Sequence, residues 1–249
     1  MNLKEKVVLL TGARRIGQTV AEELAKKGAS LAIAYRSSKE ESEAMCAVCI
    51  QHGVKAFPVK ADLTKQDEIE RLVGSVVEEY GRIDILVHMA APYPKTPWGT
   101  LTIEKWDEIN AAIPRSAFWL GKKAADVMLQ NQPDENNIRG KIIYFSDWSI
   151  NVRPYKDFSI YNAAKGAVES LTRSFAVELA PSVTVNCIAP GPILAPVGLT
   201  EEENKEVMSK TPRKTWGGAM SIANGVDFLL KEDFVTGLIL PIDGGRTID

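Results

Sequence analysis

A short apolar run at residues 7–10 ends in Thr11-Gly12-Ala13-Arg14-Arg15-Ile16-Gly17 and passes at once into a helical pattern over 16–27. A buried strand that stops on a glycine turn and feeds a helix has few ways to fold. The helix carries the chain back along the sheet, so the strand that follows lies parallel to the first. The pattern then repeats. Gly28 stops the first helix, 31–35 reads as a second buried strand, 39–52 as a helix and 55–60 as a third strand. After Asp62-Leu63-Thr64 a helix runs to Tyr80, Gly81 ends it, and 83–88 is a fourth strand. A long helix through 119–129, a strand at 141–145, a helix at 160–178 and strands at 183–188 and 238–242 follow. Runs such as Ile83-Asp84-Ile85-Leu86-Val87 suit strands covered on both faces. The expectation is an α/β chain built on a doubly wound parallel sheet. Residues 1–249 show no repeat, low-complexity tract or linker, and 130–139 reads as a surface loop, so a single domain is expected.

Composition excludes several classes. An apolar share of 45% and a charged share of 25% are those of an ordinary globular chain able to bury a core of this size. A net charge of −2 offers no footprint for nucleic acid or an anionic membrane. No apolar run approaches the roughly 20 residues of a membrane span, and the N-terminal segment lacks a secretory leader's apolar stretch. Three cysteines do not make a disulfide framework, so a cytoplasmic location is expected. Cys46 and Cys49 fall at helical spacing inside 40–51, which suits two small packed residues better than a redox pair. His52 and His88 lack a second ligand at a usable spacing, and no metal site is expected.

The first turn has the context of a dinucleotide site. Gly12 permits the tight turn and Gly17 allows close packing at the helix N-terminus, whose N–H groups face a pyrophosphate. The end of the second strand bears on cofactor choice, because NAD sites place an acid there for the ribose 2′-hydroxyl. This chain has Tyr35-Arg36-Ser37-Ser38, with no acid until Glu40. A guanidinium and hydroxyls suit a 2′-phosphate, and Arg14 adds a second charge, so NADP(H) is the expected cofactor. A solvated basic turn is the alternative. Further on, Tyr161-Asn162-Ala163-Ala164-Lys165 puts a tyrosine and a lysine on one face of a helix. An ammonium there stabilises a phenolate and is expected to draw the pKa of a proton donor down from about 10.

With these pieces placed, the chain resembles the short-chain dehydrogenases/reductases from end to end, which implies a Rossmann fold and a nicotinamide-dependent oxidoreductase. Besides the Thr-Gly turn, the landmarks are Asp62-Leu63 for the adenine and His88-Met89-Ala90-Ala91 where the family has Asn-Asn-Ala-Gly. Tyr161/Lys165 follow, then Asn186-Cys187-Ile188-Ala189-Pro190-Gly191-Pro192-Ile193 beside the nicotinamide and Asp243-Gly244-Gly245 near the end. The resemblance implies that Ala90, Pro190 and Gly191 line the cofactor, that Lys165 holds the nicotinamide ribose with Tyr161, and that the Ile193 backbone meets the carboxamide. It also implies a homo-oligomer, a tetramer or dimer, and a substrate lid near 194–216. The helix beginning at Tyr161 carries Ala163, Ala164, Ala167 and Ala176, small enough for close helix contact or for packing on the sheet.

The departures narrow the resemblance. The glycine turn is one residue short, with Arg15, next to Ile16, where a middle glycine belongs. Asp147 fills the position of the catalytic serine. Tyr93 falls where an aromatic ring stacks on substrate. All three are similar to pteridine reductases, where such an arginine faces pyrophosphate and substrate. Ile113 stands at the position of the catalytic asparagine, with Asn110 one helical turn early, and Pro114 points to a locally reshaped helix.

Asp147 bears directly on substrate. An ionised carboxylate repels the alkoxide formed from a ketone and raises the pKa of Tyr161, against Lys165, so ketone reduction requires Asp147 protonated. A cyclic amidine or imine such as a dihydropterin presents N–H groups that welcome an acceptor. The expected activity is therefore reduction of a pterin-like C=N bond, with Tyr161 as proton donor, Lys165 and Asp147 as its catalytic partners, and Tyr93 and Trp148 at the small-molecule substrate. Tyr155 and Trp216 are further candidates for the pocket. The alternatives are a carbonyl reductase of 3-oxoacyl or small-ketone type, or an NADP-binding sensor or scaffold that has lost catalysis.

Overall fold

The computed structural model describes all of residues 1–249 except Ala13, Asn151, Val197 and Asp249. One position of the glycine turn and one of the expected lid therefore lie outside the described residues. Strands β1 (Val7–Thr11), β2 (Ser30–Tyr35), β3 (Ala56–Lys60), β4 (Ile85–His88), β5 (Gly140–Phe145), β6 (Val183–Pro190) and β7 (Ile239–Ile242) form one sheet of order β3-β2-β1-β4-β5-β6-β7. Every pairing is parallel. The strand order reverses between β1 and β4, which opens a crevice at their C-terminal ends.

Helices cover both faces because the strands are apolar on both. In β1, Val7 and Leu9 belong to one core, and Val8 and Leu10 to the other. The first core takes α3 (Gln66–Tyr80), α5 (Ser116–Met128) and α6 (Ser159–Leu179), and the second takes α1 (Ile16–Lys26) and α2 (Lys39–Gln51). Ile69, Leu72, Val73 and Val76 make the buried stripe of α3, and Gly81 ends it at φ 73°, its N–H bonded to the Val77 carbonyl. Cys46 and Cys49 are free and buried inside α2, and burial pushes their thiols up to about 12 and about 11. Among the described residues, no helix is long and apolar enough to cross a membrane and no His, Cys, Asp and Glu side chains group as metal ligands.

The structure adds three helices to the sequence reading. Helix α4 (Ile103–Asn110) is short and buries only Ile109, while Ile103 and Trp106 on the same stripe stay exposed. It is held at its start by the Thr102 hydroxyl, which accepts from the Lys105 N–H. The expected lid contains α7 (Glu201–Ser209), begun by a reciprocal Thr200–Glu203 capping box. Helix α8 (Ala219–Lys231) does carry a legible stripe in Ile222, Ala223, Val226, Leu229 and Leu230, which packs into the second core. Residues Ala111–Arg115 form a π-helical turn between α4 and α5, where the sequence expects reshaping by Pro114. Proline has no N–H to give the ladder, and the Ser116 hydroxyl takes up the Ala112 and Ile113 carbonyls (2.8 and 3.0 Å).

Candidate active site

The candidate site sits at the C-terminal ends of β1, β4, β5 and β6. Past the end of β5, Ser146 N–H still bonds the Ile188 carbonyl (2.9 Å) and Trp148 N–H the Pro190 carbonyl (3.2 Å), so Asp147 is held firmly between them. Helix α6 begins two residues before Tyr161 and buries both Tyr161 and Lys165 against this strand end. The Tyr161 hydroxyl donates to Asp147 Oδ2 (3.1 Å). Asp147 Oδ1 accepts from the Ser149 N–H (2.9 Å) and hydroxyl (2.7 Å). The carboxylate therefore works as an acceptor on both oxygens.

The electrostatics differ from what the Tyr-x-x-x-Lys spacing predicts. Burial pushes the Tyr161 pKa well above the ordinary tyrosine range, and the neighbouring Asp147 carboxylate pushes it further. Lys165 Nζ donates to the Phe145 carbonyl (2.6 Å) and lies 5.9 Å from the centre of the Tyr161 ring. Burial lowers Lys165 itself to about 8, against smaller opposing effects of Cys187 and Asp147. The net shift of Tyr161 is thus upward where the Tyr-x-x-x-Lys spacing alone predicts a lowering, because desolvation and Asp147 dominate.

Behind this pair, buried His88 links β4 to its neighbours. Its Nδ1 shares a hydrogen with the Thr11 hydroxyl (2.8 Å), and its Nε2 lies 3.4 Å from the Ser116 hydroxyl. Burial, aided by the charge of Lys165, lowers its pKa to about 3, so the ring is neutral. Ile113 is buried in the first core, which puts an apolar side chain where the resemblance expects an asparagine.

Two joined cavities meet at Gly12, Arg14 and Met89. One, of about 760 Å³, is lined by Tyr35, Arg36, Ser37, Asp62, Leu63 and Ala90. The other, of about 510 Å³, is lined by Arg15, Ile16, Tyr161, Lys165, Pro190, Gly191 and Ile193, and also by Tyr93, Asp147 and Trp148. Gly17 is the one expected cofactor residue that lines neither: a Cβ there would lie 2.2 Å from the Gly12 carbonyl oxygen, so its role is to let the turn close on α1. Arg15 adopts φ 54°, so the arginine keeps a glycine-like backbone at the shortened turn. Its guanidinium donates to the Ala195 carbonyl (2.7 Å), and Arg14 pairs with Glu41 (3.1 Å).

The aromatic residues form one cluster. Tyr93 stacks on Phe158 with ring centres 4.5 Å apart, meets Tyr161 edge-on at 4.8 Å, and remains 54% exposed. Trp148 is buried edge-on to Tyr155. The pocket also takes Tyr155, Leu199, Val207, Trp216 and Arg246. Arg246, which directly follows Asp243-Gly244-Gly245, has no local signal in the sequence; only the return of the chain from β7 beneath α7 brings it here.

A family model described as enoyl-(acyl carrier protein) reductase matches residues 12–247. The 3-oxoacyl-[acyl-carrier-protein] reductase FabG of Staphylococcus aureus is 31% identical, over 96% of this chain and 97% of its own. The hydroxynaphthalene reductase-like protein Arp2 of Metarhizium anisopliae is 35% identical over 76% of this chain and 69% of its own. A short-chain dehydrogenase/reductase of Serratia marcescens superposes with TM-score 0.89 at 28% identity, covering 99% of this chain and 100% of that one. One from Mycobacterium ulcerans superposes with TM-score 0.90 at 26% identity, covering 100% and 92%. A doubly wound sheet, a glycine turn at its first strand and a buried tyrosine–lysine pair at β5 belong together for a reason: this chain is a member of the short-chain dehydrogenase/reductase family of oxidoreductases.

Proposed function

We propose that this protein is an NADP(H)-dependent reductase acting on a pterin-like C=N bond. The carrying observation is that Asp147 accepts hydrogen bonds on both carboxylate oxygens, one of them from Tyr161. The fit to the cofactor rests on the cavities. A Cβ at Gly12 would lie 2.8 Å from the Ala90 nitrogen, so only bare backbone leaves this turn open. Beyond it, Arg36 and Ser37 line the wall where an adenosine 2′-phosphate would rest; burial raises the Asp62 pKa, but the Thr64 hydrogen bonds and then the charge of Arg36 bring it below the usual value. When bound, the nicotinamide supplies the hydride.

The chain's own residues do the rest. Tyr161 holds the proton that neutralises the reduced nitrogen. While Asp147 accepts from the phenol, that proton is held back. A substrate N–H that engages Asp147 takes up the carboxylate and removes this brake, so donation is coupled to binding of the right heterocycle. An alkoxide offers Asp147 no such N–H. Tyr93, packed on Phe158, offers its exposed face to a planar ring. Segment 194–216 serves as a lid, with Leu199, Val207 and Trp216 against substrate and Ala195 clasped by Arg15. Copies of the chain associate through α5 and α6, where Phe118 and Val177 are exposed and Ala163 and Ala167 face outward.

A second reading, reduction of a carbonyl, is favoured by the names of the relatives, which include an oxoacyl reductase. The test is NADPH oxidation with dihydrobiopterin against a panel of ketones. The proposal expects turnover on the pterin, its loss in Tyr161→Phe, and a shift of preference towards NADH in Arg36→Glu. Turnover on ketones alone would establish the second reading. NADPH binding with no acceptor at all would leave a nucleotide-binding protein without catalysis.

A further inference from the structure

The substrate end of the smaller cavity holds a buried cation that the chemistry above does not use. Arg246 is 5% exposed, and its guanidinium lies 4.6 Å from the centre of the Trp148 ring. One edge is occupied: Nη1 donates to the Val207 carbonyl (3.2 Å) and meets the Thr211 hydroxyl (3.4 Å). Its Nε is buried with no hydrogen-bond partner. Among the described residues, no carboxylate forms an ion pair with it. Asp243 is turned to the backbone N–H groups of Gly245 and Thr247, and Glu206, which feels the charge of Arg246, is paired with Lys210.

A guanidinium has five donors and keeps its charge under all working conditions. Burying it unpaired is costly, and the cation–π contact with Trp148 offsets only part of that cost. The other charges of the cavity do not answer it. Arg14, Arg15 and Lys165 are also cationic, and Asp147 is the sole carboxylate among the described lining residues. Asp147 is already engaged by Ser149 and Tyr161. Arg14 lines both cavities and pairs with Glu41, and Arg15, which lines the smaller cavity, donates to the Ala195 carbonyl; Arg246 is the cation stacked on Trp148.

We propose that Arg246 is the seat for a carboxylate carried by the substrate. The substrate is then a planar unsaturated ring with an acidic arm, its ring against Tyr93 and Asp147 and its arm reaching past Trp148. This inference rests on the reductase reading for the ring and on Arg246 alone for the acid. Because Arg246 also holds the Val207 carbonyl of α7, seating the acid fastens the lid segment to the chain's last turn. A purely structural Arg246 would cap α7 and treat acidic and neutral ligands alike.

Calorimetric titration of the full-length protein with two matched pairs decides this. The first is pterin-6-carboxylate against 6-hydroxymethylpterin, and the second is phenylglyoxylate against its methyl ester. The acid of a pair is expected to bind on the order of tenfold tighter or more, as a charge-assisted contact in a partly enclosed pocket implies. That ratio should fall to about one in Arg246→Gln and be partly kept in Arg246→Lys, while NADPH affinity stays constant. A ratio of about one in the wild type overturns the assignment, whether or not the variants fold. So does a ratio that survives in Arg246→Gln, or failure of both acids to bind. An acid preference seen only with phenylglyoxylate keeps Arg246 as the seat and removes the pterin reading, so the two failures are distinct.

Discussion

Asp147→Asn should release the proton of Tyr161 at lower pH, and the size of the effect follows from one distance. The phenol oxygen lies 3.1 Å from Asp147 Oδ2. Two unit charges at that separation repel by about 5 kcal/mol at an effective dielectric of roughly 20, equivalent to about four pH units. Asp147 is only half-buried, so water screens part of this, and a shift of about two units is the smaller expectation. An asparagine amide also donates to a phenolate, which adds to the shift. Burial, the larger cause, remains, so the pKa stays above that of free tyrosine. The assay is a stopped-flow pH jump read at the phenolate absorbance before the protein unfolds, with Tyr161→Phe subtracted to isolate one residue. If Tyr161 ionises over the same range with and without Asp147, the carboxylate does not act on the phenol. Asp147 then has no part in choosing the substrate through Tyr161.

Two further consequences concern stability and the nucleotide turn. His88 has a pKa of about 3 when folded against an ordinary 6.5, so the unfolded chain binds the extra proton first as pH falls. Stability is therefore kept above pH 6.5 and lost towards pH 3, by about 3 kcal/mol at pH 4.5; urea midpoints should drop more in the wild type than in His88→Asn, and equal drops would contradict this. Gly17→Ala places a Cβ 2.2 Å from the Gly12 carbonyl oxygen and should weaken NADPH at least about tenfold by titration. Gly74→Ala, with nothing within 4 Å inside α3, should leave binding intact and raise thermal stability slightly.

Much of this fold was legible because its central strands are buried on both faces and its first three helices are followed by Gly28, Gly53 and Gly81. Residues 7–10 and 31–35 have no other stable home than the middle of a parallel sheet. Helix α4 is harder to read because its stripe of Ile103, Trp106 and Ile109 spans barely two turns and only Ile109 is buried. The site's geometry was legible where it is local: the four-residue spacing places Tyr161 and Lys165 on one face of α6, and the family resemblance places Asp147 beside Tyr161, where the two share a hydrogen bond. The electrostatics were not, since the spacing shows a lysine one turn away but not the depth of burial and the Asp147 carboxylate that outweigh it. Arg246 was invisible for a different reason. Its neighbours Trp148, Val207 and Thr211 come from distant parts of the chain, and no local pattern announces a cation without a counter-charge among the described residues.

The most direct test of the account is the Asp147→Ser exchange, assayed for NADPH oxidation with dihydrobiopterin and with ketones in parallel. Serine donates where aspartate accepts. The account predicts that pterin turnover collapses while ketone turnover is kept or gained. Undiminished pterin turnover in Asp147→Ser would contradict it, and Asp147 would then be a strand-end carboxylate with no part in choosing the substrate.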